Sequence, residues 1–312
     1  MGKFCFAIAT LPALFTIANA AEPKVHDAEH AGAVFALAFR PDGTRLATAS
    51  FDRRLTVWDA GGRTQKQVLA AHQAPLTSLA WSPDGQILVS TDTDGRVIKW
   101  CGTEPRRLEG HAACAYAVAF LRDGKSFLTC GQDRRLKVWR TNDGELLQAV
   151  GPFDSPLYAL AVAPDGQSFA VAGMDGLIRI CSHESGSVLR ELAGHSGAVF
   201  TLAISPDGKH LVSGGEDGCL RVWEFATGHE LFMLNCHRDA IYQVNFSASG
   251  RRLVSVGASG QVVVWDAGAG MPLFSQRFPG HGFAASFSPD GARLAVAAGS
   301  HFSVLELPQY CQ

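Results

Sequence analysis

A histidine, a hydroxyl residue, an aspartate and a tryptophan recur in the same order four times. The sets are His30, Thr48, Asp52, Trp58; His72, Ser90, Asp94, Trp100; His111, Thr129, Asp133, Trp139; and His195, Ser213, Asp217, Trp223. Ser, His and Asp are the parts of a hydrolytic triad, in which a carboxylate orients the imidazole that deprotonates a hydroxyl. One such set would point to nucleophilic catalysis. Four sets at constant spacing describe a construction element, because buried imidazole and indole nitrogens need partners that a hydroxyl and a carboxylate can supply. His237 and His281 keep the register of the first histidine, whereas His26, His183, His210, His229 and His301 share none. There is no convergent carboxylate pair, no CxxC and no CxxCH. We therefore assign no catalytic, metal-ligating or cofactor-binding residue, and expect no cofactor.

The elements that carry these sets are hairpins. Turn glycines fall at Gly43, Gly85, Gly124, Gly166, Gly208, Gly250 and Gly291, at intervals of 42, 39, 42, 42, 42 and 41 residues. Five of the turns read Pro-Asp-Gly, at Pro41, Pro83, Pro164, Pro206 and Pro289. Proline presets φ early in the turn and glycine supplies the left-handed residue that returns the chain. A fixed period of this length marks a repeat architecture. Positions four and six before the glycines are mostly bulky (Phe39 and Leu37, Trp81 and Leu79, Phe120 and Val118), with small residues such as Ala36 and Ala38 between them. That alternation is the pattern of a strand with one packed face.

Bulk composition excludes several classes. The chain is 47% hydrophobic and 18% charged, too apolar for a disordered protein, and its net charge of −2 provides no basic face for nucleic acid. Residues 1–20 stand outside the array: Met1-Gly2-Lys3 carries a charge, Phe4 to Ile17 is apolar, and Ala18-Asn19-Ala20 is a small-residue cleavage pattern. This is the layout of a secretory leader cut near Ala20-Ala21, too short for a membrane span at about 20 apolar residues. We expect an exported protein, periplasmic in a bacterium, with no later membrane span. After cleavage seven cysteines remain, an odd number, with Cys114 and Cys130 placed on opposite arms of one hairpin, nearly equidistant from its turn.

Aligned on the turn glycines, the pairs Gly110-His111, Gly194-His195 and Gly280-His281, together with Trp58-Asp59 and Trp265-Asp266, resemble the WD40 repeat. The resemblance spans the whole of 21–312. It implies an all-β fold: a single, monomeric, seven-bladed propeller of four-stranded antiparallel blades. It also implies that the recurring His, hydroxyl, Asp and Trp form a buried structural network. Closure of the ring would require residues near Pro23 to Ala28 to supply the outer strand of the last blade. Three repeats depart from the pattern: the fourth has Phe153 and Cys181 for His and Trp, the sixth has Ser259 for Asp, and the seventh keeps little beyond His281.

One column exceeds what the fold needs. Eight residues before the turn glycines stand Phe35, Thr77, Tyr116, Tyr158, Phe200, Tyr242 and Phe283. Strict alternation would bury them between blades. The adjacent large residues Val34 and Phe35 break the alternation, and an irregularity there would turn the aromatics toward the channel mouth, where peptides dock in the family. On that reading Phe35, Tyr116, Tyr158, Phe200, Tyr242 and Phe283 bind a partner protein or peptide, with Phe51, Thr93, Gln132, Met174, Glu216 and Ala258 on the rim. The expected function is a non-catalytic interaction scaffold. The alternative is an enzyme or electron-transfer accessory in a periplasmic redox complex.

Overall fold

The computed structural model describes residues 25–26, 30–61, 64–235 and 237–308; the leader of residues 1–20 lies outside them. The described residues form seven four-stranded antiparallel sheets. In the first blade Val34–Phe39, Arg45–Ser50, Leu55–Asp59 and Gln65–Leu69 pair in chain order from the centre outward. Blades two to six repeat the arrangement. The seventh takes three strands from Gly282–Phe287, Arg293–Ala298 and His301–Glu306, and its outer strand is Val25–His26 from the other end of the chain. Val25 pairs with Ser303 and His26 with Phe302, so this short strand closes the ring. The innermost strands contact one another in succession around the circle, the seventh meeting the first.

Burial follows from stacking. Each apolar cluster is shared by neighbouring blades: Val254, Val256 and Val264 of the sixth pack against Ala285, Leu294, Val296 and Leu305 of the seventh. Ala295, Ala297 and Phe302 of the seventh meet Leu46 and Trp58 of the first. The second strand of each blade is covered on both faces, so Leu46 to Ser50 are all buried. Alternation therefore disappears there, as it does in any strand packed on both sides. Outer strands are the least covered, which exposes Leu147, Val188, Leu189, Leu231 and Met233.

Two kinds of turn alternate around the ring. On one face lie the turns marked by the periodic glycines; on the other, the second and third strands join through a tighter turn. Five blades place glycine in the left-handed region there: Gly95, Gly176, Gly218, Gly260 and Gly299, with φ of 60–81°. The first and third blades use Arg53 (φ 72°) and Arg134 (φ 63°) instead. A side chain in that conformation costs about 1–2 kcal/mol. Arg53→Gly should therefore preserve or raise stability by up to about 1 kcal/mol. Gly95→Ala should lose more than about 2 kcal/mol, because its Cβ would also run into the carbonyl oxygens of Ala113 and His111. Urea unfolding of the two variants tests this opposition directly.

Candidate protein-binding face

The recurring polar residues meet as relays inside the blades. In the first, the Trp58 indole donates to Thr48 Oγ1 (2.8 Å), Thr48 Oγ1 lies 2.8 Å from His30 Nε2, and His30 Nδ1 lies 2.9 Å from Asp52 Oδ2. An indole N–H can only donate and a carboxylate can only accept, so the hydroxyl oxygen takes the indole proton and the Asp52 carboxylate accepts from Nδ1. The imidazole then carries its proton on Nδ1, facing the carboxylate. The third and fifth blades reproduce the relay with Trp139, Thr129, His111, Asp133 and with Trp223, Ser213, His195, Asp217. Thr48, Ser90, Thr129 and Ser213 are completely buried, so the triad-like hydroxyls face no solvent from which a substrate could approach.

The carboxylate also holds backbone. Asp52 accepts the N–H groups of Ala31 and Arg54, tying the loop that enters the blade to the turn between its second and third strands. Burial works to raise the Asp52 carboxyl, yet the hydrogen bonds from His30 and from these amides hold it below its ordinary value. Asp133 is lowered against burial mainly by His111, and Asp217 by the Cys219 amide and His195.

The second blade corrects the sequence assignment. His72 Nδ1 bonds Asp92 Oδ2 at 2.7 Å, not Asp94, while Ser90 and Trp100 take the expected places. Asp92 ends the second strand, where other blades have Ser50, Gly131, Gly173, Gly215 or Gly257. From there it reaches the imidazole and still accepts the amides of Asp94 and Arg96, leaving Asp94 to turn outward beside Arg96 (3.6 Å). The readable signal was a carboxylate in a column otherwise occupied by serine, glycine or, at Ala298, alanine.

The divergent blades solve the same problem differently. In the fourth, Phe153, Val171 and Cys181 are buried together in an apolar cluster, and Asp175 pairs instead with Arg179 at 2.7 Å. In the sixth, Trp265 and His237 both reach Ser255, but Ser259 gives no carboxylate and His237 Nδ1 has no partner among the described residues. Burial pushes the His237 imidazole down to about 4, opposed by the charge of Asp239. Cys114 and Cys130 are both free, the register pairing Cys130 with Ala117 rather than with its candidate partner. Burial raises the Cys114 thiol to about 11.

The aromatic column departs from the sheet pattern in every blade. Register is interrupted between Val34 and Ala36, and at the corresponding place in the other six, so the intervening residue lies in a bulge. A bulged residue is released from alternation and can be aimed elsewhere. Val34 stays fully buried while Phe35 is partly exposed, and Tyr242 reaches 37% exposure. Rings from successive blades touch: Tyr116–Tyr158 at 4.9 Å, Tyr158–Phe200 at 5.8 Å, Phe200–Tyr242 at 5.6 Å and Tyr242–Phe283 at 6.0 Å. Phe283–Phe35 closes to 4.5 Å, and Phe35 meets Phe51 at 5.9 Å. Side chains about forty residues apart can touch in series only where the innermost strands converge. They form an arc around one mouth of the channel.

Thr77 interrupts the arc in the second blade, where it bonds Thr91 and the Ala115 carbonyl. Beside the arc stand Phe51, 54% exposed, and Met174, 61% exposed. Thr93, Gln132 and Glu216 are exposed as well, and Ala258 is half-buried. Glu216 additionally accepts the Ala198 amide.

With this architecture in view, the sequence matches the WD40 family (WD domain, G-beta repeat) over residues 23–59, 63–101, 102–140, 144–182, 186–224 and 228–266. The chain belongs to that family. It is 30% identical over 151 residues to Protein hir1 of Schizosaccharomyces pombe, covering 41% of this chain and 16% of the relative. It is 25% identical over 107 residues to Polyadenylation factor subunit 2 of Candida albicans, covering 34% and 20% respectively. Protein HIR1 of Yarrowia lipolytica is 30% identical over 136 residues, covering 37% and 13%. The match thus spans a fifth or less of each of these relatives.

The incomplete relay in the sixth blade has a consequence in acid. An unfolded His237 protonates near 6.5, whereas the folded one resists until about 4. The unfolded chain therefore binds more protons in that window, and stability falls as pH drops from 6.5 to 4. His195, also lowered by burial, adds in the same direction. His237→Gln should flatten the slope of unfolding free energy between pH 6.5 and 4, measured by urea titration at each pH.

Proposed function

We propose that this protein is a non-catalytic scaffold that binds a partner protein or peptide across the aromatic channel mouth. The observation that carries the reading is the arc itself. Six aromatic side chains are lifted out of the sheet by a repeated bulge, with Phe51 and Met174 exposed beside them. Nothing in blade stability requires this, since the core residue one place earlier is buried without it. Aromatic rings at a concave mouth offer large contact area at low entropic cost and attract cations to their faces, at about 0.5–2 kcal/mol each. Membership of a repeat family with a relative named as a factor subunit agrees with service inside an assembly.

The test is a pull-down from cell extract with the wild type and the combined Phe35→Ala, Tyr158→Ala, Tyr242→Ala variant. A partner retained by the wild type should be lost, with affinity down by at least about 100-fold, while circular dichroism and the melting transition persist. Undiminished capture by the folded variant would move the binding surface elsewhere on the ring.

We propose also that residues 1–20 direct export and that the propeller works in the bacterial periplasm. The charged start, apolar run and Ala18-Asn19-Ala20 support this. Expression in a bacterial host should yield a periplasmic product whose N-terminal residue is Ala21, read by mass spectrometry. An intact Met1 terminus in the cytoplasm would refute it.

A further inference from the structure

The opposite face of the ring carries a second feature, in the grooves between blades beside the periodic glycine turns. Two positions recur beside these grooves, and residues of the adjoining strands reach into them as well. One is the residue whose amide bonds back across the turn: Arg40, Ser82, Leu121, Ala163, Ser205, Ser247 and Ser288. The other follows the third strand: Ala60, Thr141, His183, Phe225, Ala267 and Leu307.

Six grooves are closed by the chain's own residues, in two ways. Apolar side chains close three of them. Leu121 is buried between the third and fourth blades, Phe225 packs between the fourth and fifth, and Leu307 is buried between the sixth and seventh. Cations close the other three. Arg293 of the seventh blade lies 5.5 Å over Phe39 and donates to Ala60 O (2.9 Å) and Gly43 O (3.3 Å). Arg40 lies 5.8 Å over Trp81 and donates to Gly85 O at 2.8 Å. Lys99 donates to Thr141 O and Asn142 O, at 2.8 and 2.5 Å.

The groove between the fifth and sixth blades has neither closure. Ser205 stands where Arg40 does and is turned onto Asp207 (2.6 Å); His210 stands where Arg293 does; Ala267 stands where Phe225 and Leu307 do. The result is a cavity of about 380 Å³, against about 140 Å³ left in the equivalent groove that holds Arg40. Its floor is Phe232, Phe246, Leu253 and Trp265. Phe246 corresponds to the ring under Arg40, and Gly250 O and Ala267 O correspond to the acceptors of Arg293. No side chain among the described residues donates to either carbonyl. Asp207 and Asp266 line the groove together with Arg251 and Arg252, Arg252 lying 3.5 Å from Asp266 and Arg251 being exposed.

We propose that this groove is a receptor for an arginine side chain of a partner protein. The guanidinium would lie on Phe246 and donate to Gly250 O and Ala267 O, as Arg40 and Arg293 do in their own grooves. Arginine suits the site better than lysine because a planar fork can stack and reach two carbonyls together. An apolar occupant would cover those acceptors and leave them unpaired.

The probe is the dipeptide-like N-acetyl-arginine N-methylamide, with the lysine counterpart as control, followed by amide NMR shifts. Millimolar arginine probe should shift the amides around Gly250 and Ala267 in a saturable way, with the lysine probe weaker by about fivefold. Ser205→Arg should close the groove internally, abolish the shifts and raise the melting temperature. Ala267→Phe, an apolar closure of the kind Phe225 provides, should abolish them independently and serves where Ser205→Arg fails to fold. No saturable shift in the wild type, shifts that persist in a folded closed variant, or equal binding of both probes would overturn the proposal.

Discussion

A four-stranded antiparallel blade presents two apolar faces and cannot bury either by itself. Everything else in this molecule follows from that constraint. Stacking seven blades around an axis covers the faces pairwise, which is why each apolar cluster draws on two neighbours and why the second strands are buried throughout. A ring built this way must close, since an open end would expose a face and a strand edge. Val25–His26 completes the last blade beside His301–Glu306, so two segments nearly the whole chain apart are held together by backbone pairing.

Stacking fixes the faces but not the arrangement of strands within a blade, and there the polar relays act. Trp, hydroxyl, His and Asp run from the third strand through the second to the entering loop and its neighbouring turn, linking elements that packing alone would let slide. Because the carboxylate also binds loop amides, the same relay steadies the surface from which the aromatic residues rise. The fourth blade shows that apolar packing of Phe153, Val171 and Cys181 can replace the relay within the core. Asp175 becomes a partner of Arg179 instead, and Arg179 in turn lies 3.9 Å from Asp154 of the entering loop. The relay is thus a device for holding loops in register as much as a source of stability.

The two faces of the ring differ because they use different breaks in the repeat. At one mouth a regular defect, the bulge, repeats in all seven blades and places similar side chains in a continuous arc. On the other face an irregular choice at a few positions decides groove by groove whether a cation, an apolar chain or nothing fills the space. Regularity produces a shared surface, and irregularity singles out one site.

Period and residue type were sufficient for the number of blades, the all-β fold, the relay residues in the first, third and fifth blades, and the aromatic column. These are local properties: a turn needs its glycine and a buried indole needs its hydroxyl within the same forty residues. Asp92 escaped detection because alignment on spacing favoured Asp94, whereas reach within the folded blade favoured the carboxylate at the end of the strand. Whether Phe35 lay in the core or at the mouth turned on a bulge, which depends on how two strands pair and not on the alternation of one. Contacts between rings in different blades, and the open groove made by Ser205, His210 and Ala267, join residues that no repeat unit contains. Only the closed ring brings them together, because closure sets the distance between side chains that the sequence keeps far apart.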